Sequence, residues 1–537
     1  KILLKKLFLI IIFFFCAFNT KAQLSKIHYI PAMAGNGVSD HGLYISTPSV
    51  GYINVTIKPV GGLRADWITK TVKNDEPWEY VVGTGLETQI MKDSQTIDGV
   101  ISRSGYIIEA EGLTYVSFRL NSTVIDPSGD QFRYHSGAYV SKGASALGSR
   151  FRTGTFTNSG SRSDLSGRPD HFISILATED NTKITLSDFP AGITFANIDI
   201  IGAQTGPIDV TLNKDETYIY SYRPRHSESQ INQEALIGAL VESSDNLGGT
   251  DPKPVVVVSG SIGGSLRNGR YSNTDFGIDQ ITDISILGSE YIFIKGSALD
   301  EIEKIILIAD MDGTPIFKDG IDTGTILNKG EHLIFEGGDY TNGSNMYIST
   351  YDPSTTPTSV PNKLVAYQGI GYAGGSNSGA NQGLVFVPPL SCSSRGNIDN
   401  IPLINRIFSN KMTGGTLTIL TEDGAVLEIF KNGYLIADNQ GTIGVYDLSA
   451  DAKDVDGKPG YKSYFLLSQT ALVIEDNIAV KSDKELYLAS STYSTYGSGG
   501  SYYSGFVTDP QVQPDLKISP LGICISSDGI SNVELKT

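Results

Sequence analysis

Three short phrases recur in the same order along this chain, and a polypeptide made of recurring phrases buries its apolar residues by stacking copies of one small unit. Leu147-Gly148-Ser149-Arg150-Phe151 returns as Leu287-Gly288-Ser289-Glu290-Tyr291. Downstream lies an apolar run that ends in an acidic turn: Ile175 to Thr182, Leu307 to Thr314 and Ile419 to Ala425. The third phrase pairs Leu212-Asn213-Lys214-Asp215-Glu216 with Leu327-Asn328-Lys329-Gly330-Glu331. Units then close on β-branched or aromatic runs, Val255 to Gly260, Leu364 to Gly369 and Leu486 to Ser491, while a more divergent first unit closes near Tyr115 to Arg119.

Apolar residues alternate over four to seven positions inside a unit, which is the period of strands in antiparallel sheet. Asp180-Asn181, Asp312-Gly313 and Asp423-Gly424 stand between two such runs, and Asn, Asp and Gly tolerate the positive φ of a tight turn, so these pairs read as hairpins. Helical periodicity is confined to Gln230 to Leu240. The expected fold is all-β, with about four antiparallel units near 27–140, 147–262, 287–370 and 384–506. Without Pro/Thr-rich linkers between them, a propeller-like ring is favoured, because a ring covers each unit on two sides. Tandem β-sandwiches are the alternative. Tyr372 to Gln382 and Ser491 to Ser504 read as long Gly/Ser surface loops.

Lys1, Lys5 and Lys6 precede an unbroken apolar run, Leu7 to Phe18, followed by small residues at Thr20 and Ala22. That pattern predicts a signal peptide over residues 1–22, since the run is short of the roughly 20 residues a membrane span needs. The β-repeat domain then covers 23–510, and 511–537 begins a following segment that is cut short. The formal charge of the chain is −17, from 41 basic and 58 acidic residues, and losing the Lys-rich leader makes it more negative. Such a surface repels nucleic acid and anionic lipid. Cys392 and Cys524 remain after the leader, and an oxidising compartment would allow one disulfide between them.

Catalytic signatures are scarce. Asp310-Met311-Asp312-Gly313 and Asp454-Val455-Asp456-Gly457 resemble calcium loops but lack the further acids that complete one, so they read as turns and no metal is expected. No two of the six histidines stand at helical metal-ligand spacing, and no nucleophile elbow, phosphate loop or dinucleotide fingerprint is found, so no catalytic residue and no cofactor is assigned. Trp67 and Trp78 both fall in the first unit, which gives no recurring sugar-stacking platform. Tyr493, Tyr496, Tyr502 and Tyr503 form the best candidate recognition surface, because exposed tyrosine offers contact area and a hydrogen-bonding tip at little entropic cost.

Tyr44 to Ser49, Ala177 to Thr182, Lys253 to Gly260, Asp279-Gln280-Ile281, Gly383 to Cys392 and Tyr502 to Phe506, taken in order, resemble the N-terminal domain family of IgGFc-binding proteins. The likeness runs from about residue 26 to 510. It implies a binding or adhesive role at the cell surface without catalysis. The short Lys-rich leader and few cysteines look more like the bacterial branch, which implies export by a type IX system. The expectation is therefore a secreted, non-catalytic module with a glycoprotein or glycan ligand, no nucleic-acid partner and no membrane span in the mature chain. A glycan-processing hydrolase on a propeller-like scaffold is the runner-up and a structural spacer the third reading. A binder needs exposed aromatics, a hydrolase needs two carboxylates facing across a cleft, and a spacer needs neither.

Overall fold

The computed structural model describes residues 24–35, 38–125, 131–158, 170–224, 229–247, 249, 251–266, 275–357, 359–372, 380–390, 396–408, 410–493 and 498–502. Residues 1–22, expected to be a signal peptide, together with Cys392, Cys524 and residues 503–537, lie outside them. Within the described residues the chain is all-β, 55% strand and 5% helix. The predicted helix shrinks to Gln230–Gln233, and the chain turns at once toward the strand Leu240–Asp245.

One long strand organises each of the two largest sheets, which curl into half-barrels. The first half of Gly105–Ile125 lies between Ser25–Pro31 and Ile53–Pro59, and its second half lies between Val38–Ser46 and Gln131–Val140. Ile478–Tyr493 does the same, passing from Gly396–Ile401 and Leu427–Lys431 to Gly414–Glu422 and Ser498–Tyr502. In the middle of the chain two strands divide that work. Leu240–Asp245 sits between Arg150–Arg152 and Thr182–Ser187, and Val255–Gly264 sits between Asp170–Ala177 and Asp275–Ile281. Asn345–Ser349 then sits between Glu290–Ile294 and Thr314–Lys318, and Leu364–Tyr372 between Ile305–Ala309 and Ala380–Phe386. The apolar closing runs seen in the sequence are thus interior strands, buried on both faces, which is why they lack polar alternation.

The Asx turns are not hairpins. Asp170–Ala177 and Thr182–Ser187 belong to different sheets, as do Ile305–Ala309 and Thr314–Lys318. Gly414–Glu422 and Leu427–Lys431 likewise pair with opposite ends of the long strand rather than with each other. Each turn carries the chain across from one layer to the other. Asn181, Gly313 and Gly424 have φ of 53°, 70° and 69°. A hairpin and such an arch make the same backbone demand, so local chemistry does not separate them. The echoed Asn-Lys phrase supports the arch from the neighbouring turn. Lys214 N donates to Asp180 Oδ1 at 3.0 Å and Lys329 N to Asp312 Oδ1 at 2.9 Å.

The two Gly/Ser stretches expected as loops contain strand where they are described: Ala380–Phe386 and Ser498–Tyr502 are the returning arms of hairpins, while 373–379, 494–497 and 503–504 lie outside the described residues. Four such arms, Gln131–Val140, Asp275–Ile281, Ala380–Phe386 and Ser498–Tyr502, pack in cyclic order, each against the next and the last against the first. Glycine is required where they crowd. A Cβ on Gly137 would meet Phe276 Cβ at 2.6 Å, and one on Gly277 would meet the Phe156 ring at 2.3 Å and Leu384 Cβ at 3.0 Å. Glycine's low β-propensity is outweighed at both positions by the close approach that packing demands.

Polar seams join the sheet groups. Arg119 donates to the carbonyls of Pro402, Leu403 and Arg406 and lies 4.0 Å from the Tyr44 ring, and Tyr44 Oη accepts from Phe408 N at 2.7 Å. The first part of the chain is therefore fastened to its last. Buried Asp170 accepts from Arg223 Nε at 2.6 Å and from Ser94. Arg152, fully buried, donates to Asp188 at 2.7 Å and to Asp310 at 3.3 Å. Lys458 reaches Glu290 at 2.5 Å.

The crowding of the arms makes a direct prediction. Gly277→Ala is expected to cost about 1–3 kcal/mol through overpacking. Gly206→Ala, at a position where a Cβ meets nothing within 4 Å, should stay within about 0.5 kcal/mol of the parent. Denaturant midpoints measured at constant slope read both.

Candidate ligand-binding surface

Of the four tyrosines singled out in the sequence, Tyr493 ends the strand Ile478–Tyr493, its Cα paired with Ser498, and Tyr502 pairs in register with Ala489. Tyr496 and Tyr503 lie outside the described residues, as do both candidate disulfide cysteines. The hairpin backbone thus brings Tyr493 and Tyr502 onto neighbouring strands at opposite ends of their pairing.

A groove that sequence reasoning did not single out lies on the half-barrel that contains this hairpin. It starts from an Asn-Gly turn. Asn432 and Gly433, with φ of 48° and 84°, close the hairpin of Leu427–Lys431 with Tyr434–Asp438, the backbone that an Asn-Gly pair favours. The chain then wraps back so that Tyr446–Asp447 adds in parallel to the free edge, Ala437 opposite Tyr446 and Asp438 opposite Asp447. A tight turn bridging Gln469 and Leu472 supplies the far wall. The resulting groove has a volume of about 560 Å³, and Lys431, Leu435, Ile436, Tyr446, Asp447 and Val473 are among its lining residues.

Its chemistry is mixed. Lys431 Nζ is held by Glu475 Oε1 at 2.6 Å, and Lys411 reaches the other oxygen of Glu475 at 3.4 Å. These cations keep the Glu475 carboxyl below its ordinary range, the Lys431 hydrogen bond contributing most. Asp447 is likewise lowered, by the backbone N–H and hydroxyl of Ser449. Burial and the neighbouring Asp451 raise the Tyr446 phenol. The residues next in the chain to the walls are apolar and open: Tyr434 is 78% and Ile443 100% exposed. Within the groove itself Leu435, Ile436, Tyr446 and Val473 stand beside Lys431 and Asp447, a mixture that suits a ligand with both apolar and polar faces. A second exposed aromatic lies on the first sheet group, where Lys58 Nζ stands 4.2 Å from the Trp67 ring, while Trp78 is buried.

The histidines are dispersed. His28 Nε2 faces the carbonyls of Ser25 and Thr114 at 3.2 and 3.0 Å. His171 bridges Ser261 Oγ at 2.7 Å and Gln233 O at 3.1 Å, His41 faces Thr88 Oγ1 at 2.8 Å, and His332 faces Glu234 at 3.2 Å. Among the described residues, no three His, Cys, Asp or Glu side chains converge as a metal site. Asp310, from the first calcium-like segment, is engaged by Arg150 and Arg152. Asp454, from the second, is engaged by Lys462. The carboxyls that burial raises, Asp170 and Asp279, are interior and tied to Arg223 and Lys142.

A family model described as IgGFc binding protein matches residues 137–447. No curated protein matches the chain. Among solved structures, the alpha-L-rhamnosidase of Streptomyces avermitilis complexed with L-rhamnose aligns with 90% of this chain and 57% of its own, at 8% identity and a TM-score of 0.12. That likeness is too low to carry any argument.

Two buried histidines predict an acid sensitivity. Burial brings His28 and His171 from 6.5 down to about 4, against the opposing pull of their carbonyl partners. Between those values the unfolded chain binds protons that the folded chain refuses, so their stabilisation is complete above about pH 6.5 and is lost as pH falls toward 4. From pH 7 to pH 5 the loss is about 2 kcal/mol for each histidine. Urea midpoints across this range should fall for the parent and fall less for His171→Gln, each protein being compared with itself.

Proposed function

Because this chain belongs to the IgGFc-binding protein family, its matched segment covering more than half of it, we propose that it is an extracellular, non-catalytic binding module whose ligand is a glycoprotein or glycan. The observation that carries this reading is the groove between Lys431, Tyr446, Asp447 and Val473, with Tyr434 and Ile443 beside its walls. Its polar groups are fixed by neighbours, so a ligand would meet preset hydrogen-bonding positions rather than order them on arrival. We assign the first contact to this groove and a second to the segment that contains Tyr493, Tyr496, Tyr502 and Tyr503.

Export behind the signal peptide at 1–22, by a type IX route in a bacterial host, belongs to the same proposal and rests on the leader sequence and the family. No helix of the described residues is long and apolar enough to cross a membrane. We also read the sheet groups as four copies of one unit closing as a propeller-like ring. The recurring order of strand pairing and the cyclic packing of the arms support this.

A glycoprotein and glycan array that includes mucins and IgG tests the function. The parent chain should bind selectively. Tyr434→Ala combined with Tyr446→Ala should lower affinity at least tenfold, and Tyr493, Tyr496, Tyr502 and Tyr503 changed together to Ala should lower it less. A folded parent that binds nothing would favour a spacer role. Glycan spots chemically altered on incubation would favour the hydrolase.

A further inference from the structure

Lys142 and Asp279 stand where the first and second arms meet, and neither side chain reaches solvent: their exposures are 0% and 1%. Lys142 Nζ lies 2.5 Å from Asp279 Oδ1, and a longer 3.4 Å contact joins it to Val140 O. The carboxyl is gripped from two sides. Gln280 N donates to Oδ1 at 2.8 Å, and Phe386 N, from the third arm, donates to Oδ2 at 2.8 Å. Beside them Tyr139 is fully buried, feels the Asp279 charge, and its hydroxyl has no hydrogen-bond partner among the described residues. Ile278, Ile281 and Phe386 are buried, Ser259 stands opposite Asp279 in the sheet, and buried Tyr367 feels the Asp279 charge.

We propose that Lys142 and Asp279 condense spontaneously to an amide, which crosslinks the first arm to the second. A buried ion pair is costly in such a place, and proton transfer along the short contact from the ammonium to Oδ1 removes both charges at once. Burial favours that neutral pair, since it lowers the lysine and raises the aspartic acid. The lone pair freed on Nζ then attacks Cγ. Negative charge develops on Oδ2, where the Phe386 N–H is already placed to receive it, as a backbone donor does in an oxyanion hole. A second proton passes from nitrogen directly to Oδ1, its hydrogen-bond partner, and the Cγ–Oδ1 bond breaks to release water. One ammonium and one carboxylate become one amide and one water. Nothing is oxidised or reduced, and no other reactant is consumed. The preset geometry supplies the proximity that makes an otherwise slow condensation feasible.

The test is the intact mass of the purified folded chain under denaturing conditions. The expected result is a mass 18 Da below that of the sequence, with a branched proteolytic peptide joining Lys142 to Asp279. A succinimide or a cyclised terminus also loses mass but yields no branched peptide. Lys142→Arg and Asp279→Ala should each restore the full mass. Because the parent is read directly, misfolding of a variant does not blur the result. Full mass in the folded parent, with Lys142 and Asp279 recovered in separate linear peptides, would overturn the proposal.

Discussion

Four arms pack in cyclic order, each against the next, and that close approach constrains the residues around it. Backbones that approach this closely admit only hydrogen at the nearest points, hence Gly137 and Gly277. Polar groups brought into the same volume have to be met by a neighbouring arm rather than by solvent. Asp279 shows how far this goes. Its carboxyl takes a lysine from just beyond the first arm and a backbone N–H from the third, so one side chain ties the second arm to both.

The seams further out use the same device with larger groups. Arg119 caps three carbonyls of the segment that follows residue 401, Arg152 gathers Asp188 and Asp310, and Arg223 engages Asp170 through two nitrogens. A guanidinium is suited to this because its planar donors address several acceptors together. Removing one such cation would leave buried acceptors unmet, so these seams specify which sheets meet as well as holding them.

Local regularity made part of this legible. Val255 to Gly260 and Leu364 to Gly369 read as strands because β-branched runs bounded by turns have few other outcomes, and the recurring Asn-Lys and Asp-Gly phrases marked turns correctly. The partner of each strand was not legible. A turn at Asp312-Gly313 looks the same whether the chain doubles back in one sheet or crosses to the other, and only tertiary packing decides. The third and fourth arms were partly hidden for the opposite reason, since the Gly/Ser-rich sequence around Ala380 and Ser498 imitates a loop. The groove depended on a wrap of more than 30 residues around an Asn-Gly hairpin that the sequence does show. Lys142 and Asp279, 137 residues apart, could be paired only in the folded molecule.

Cyclic packing of the arms also sets an order of assembly. The arm Gln131–Val140 is synthesised long before Ser498–Tyr502, yet the two are neighbours, so the centre stays open until the last arm arrives. Contacts so distant in sequence are slow to find and expensive in loop entropy. A chain delivered from its N-terminus first, whether off a ribosome or through a translocation pore, can form its early sheets at once but must keep one flank of the first arm uncovered. Closure is then the final step, so a molecule shortened ahead of residue 498 would be left with an unpaired arm that another copy could fill.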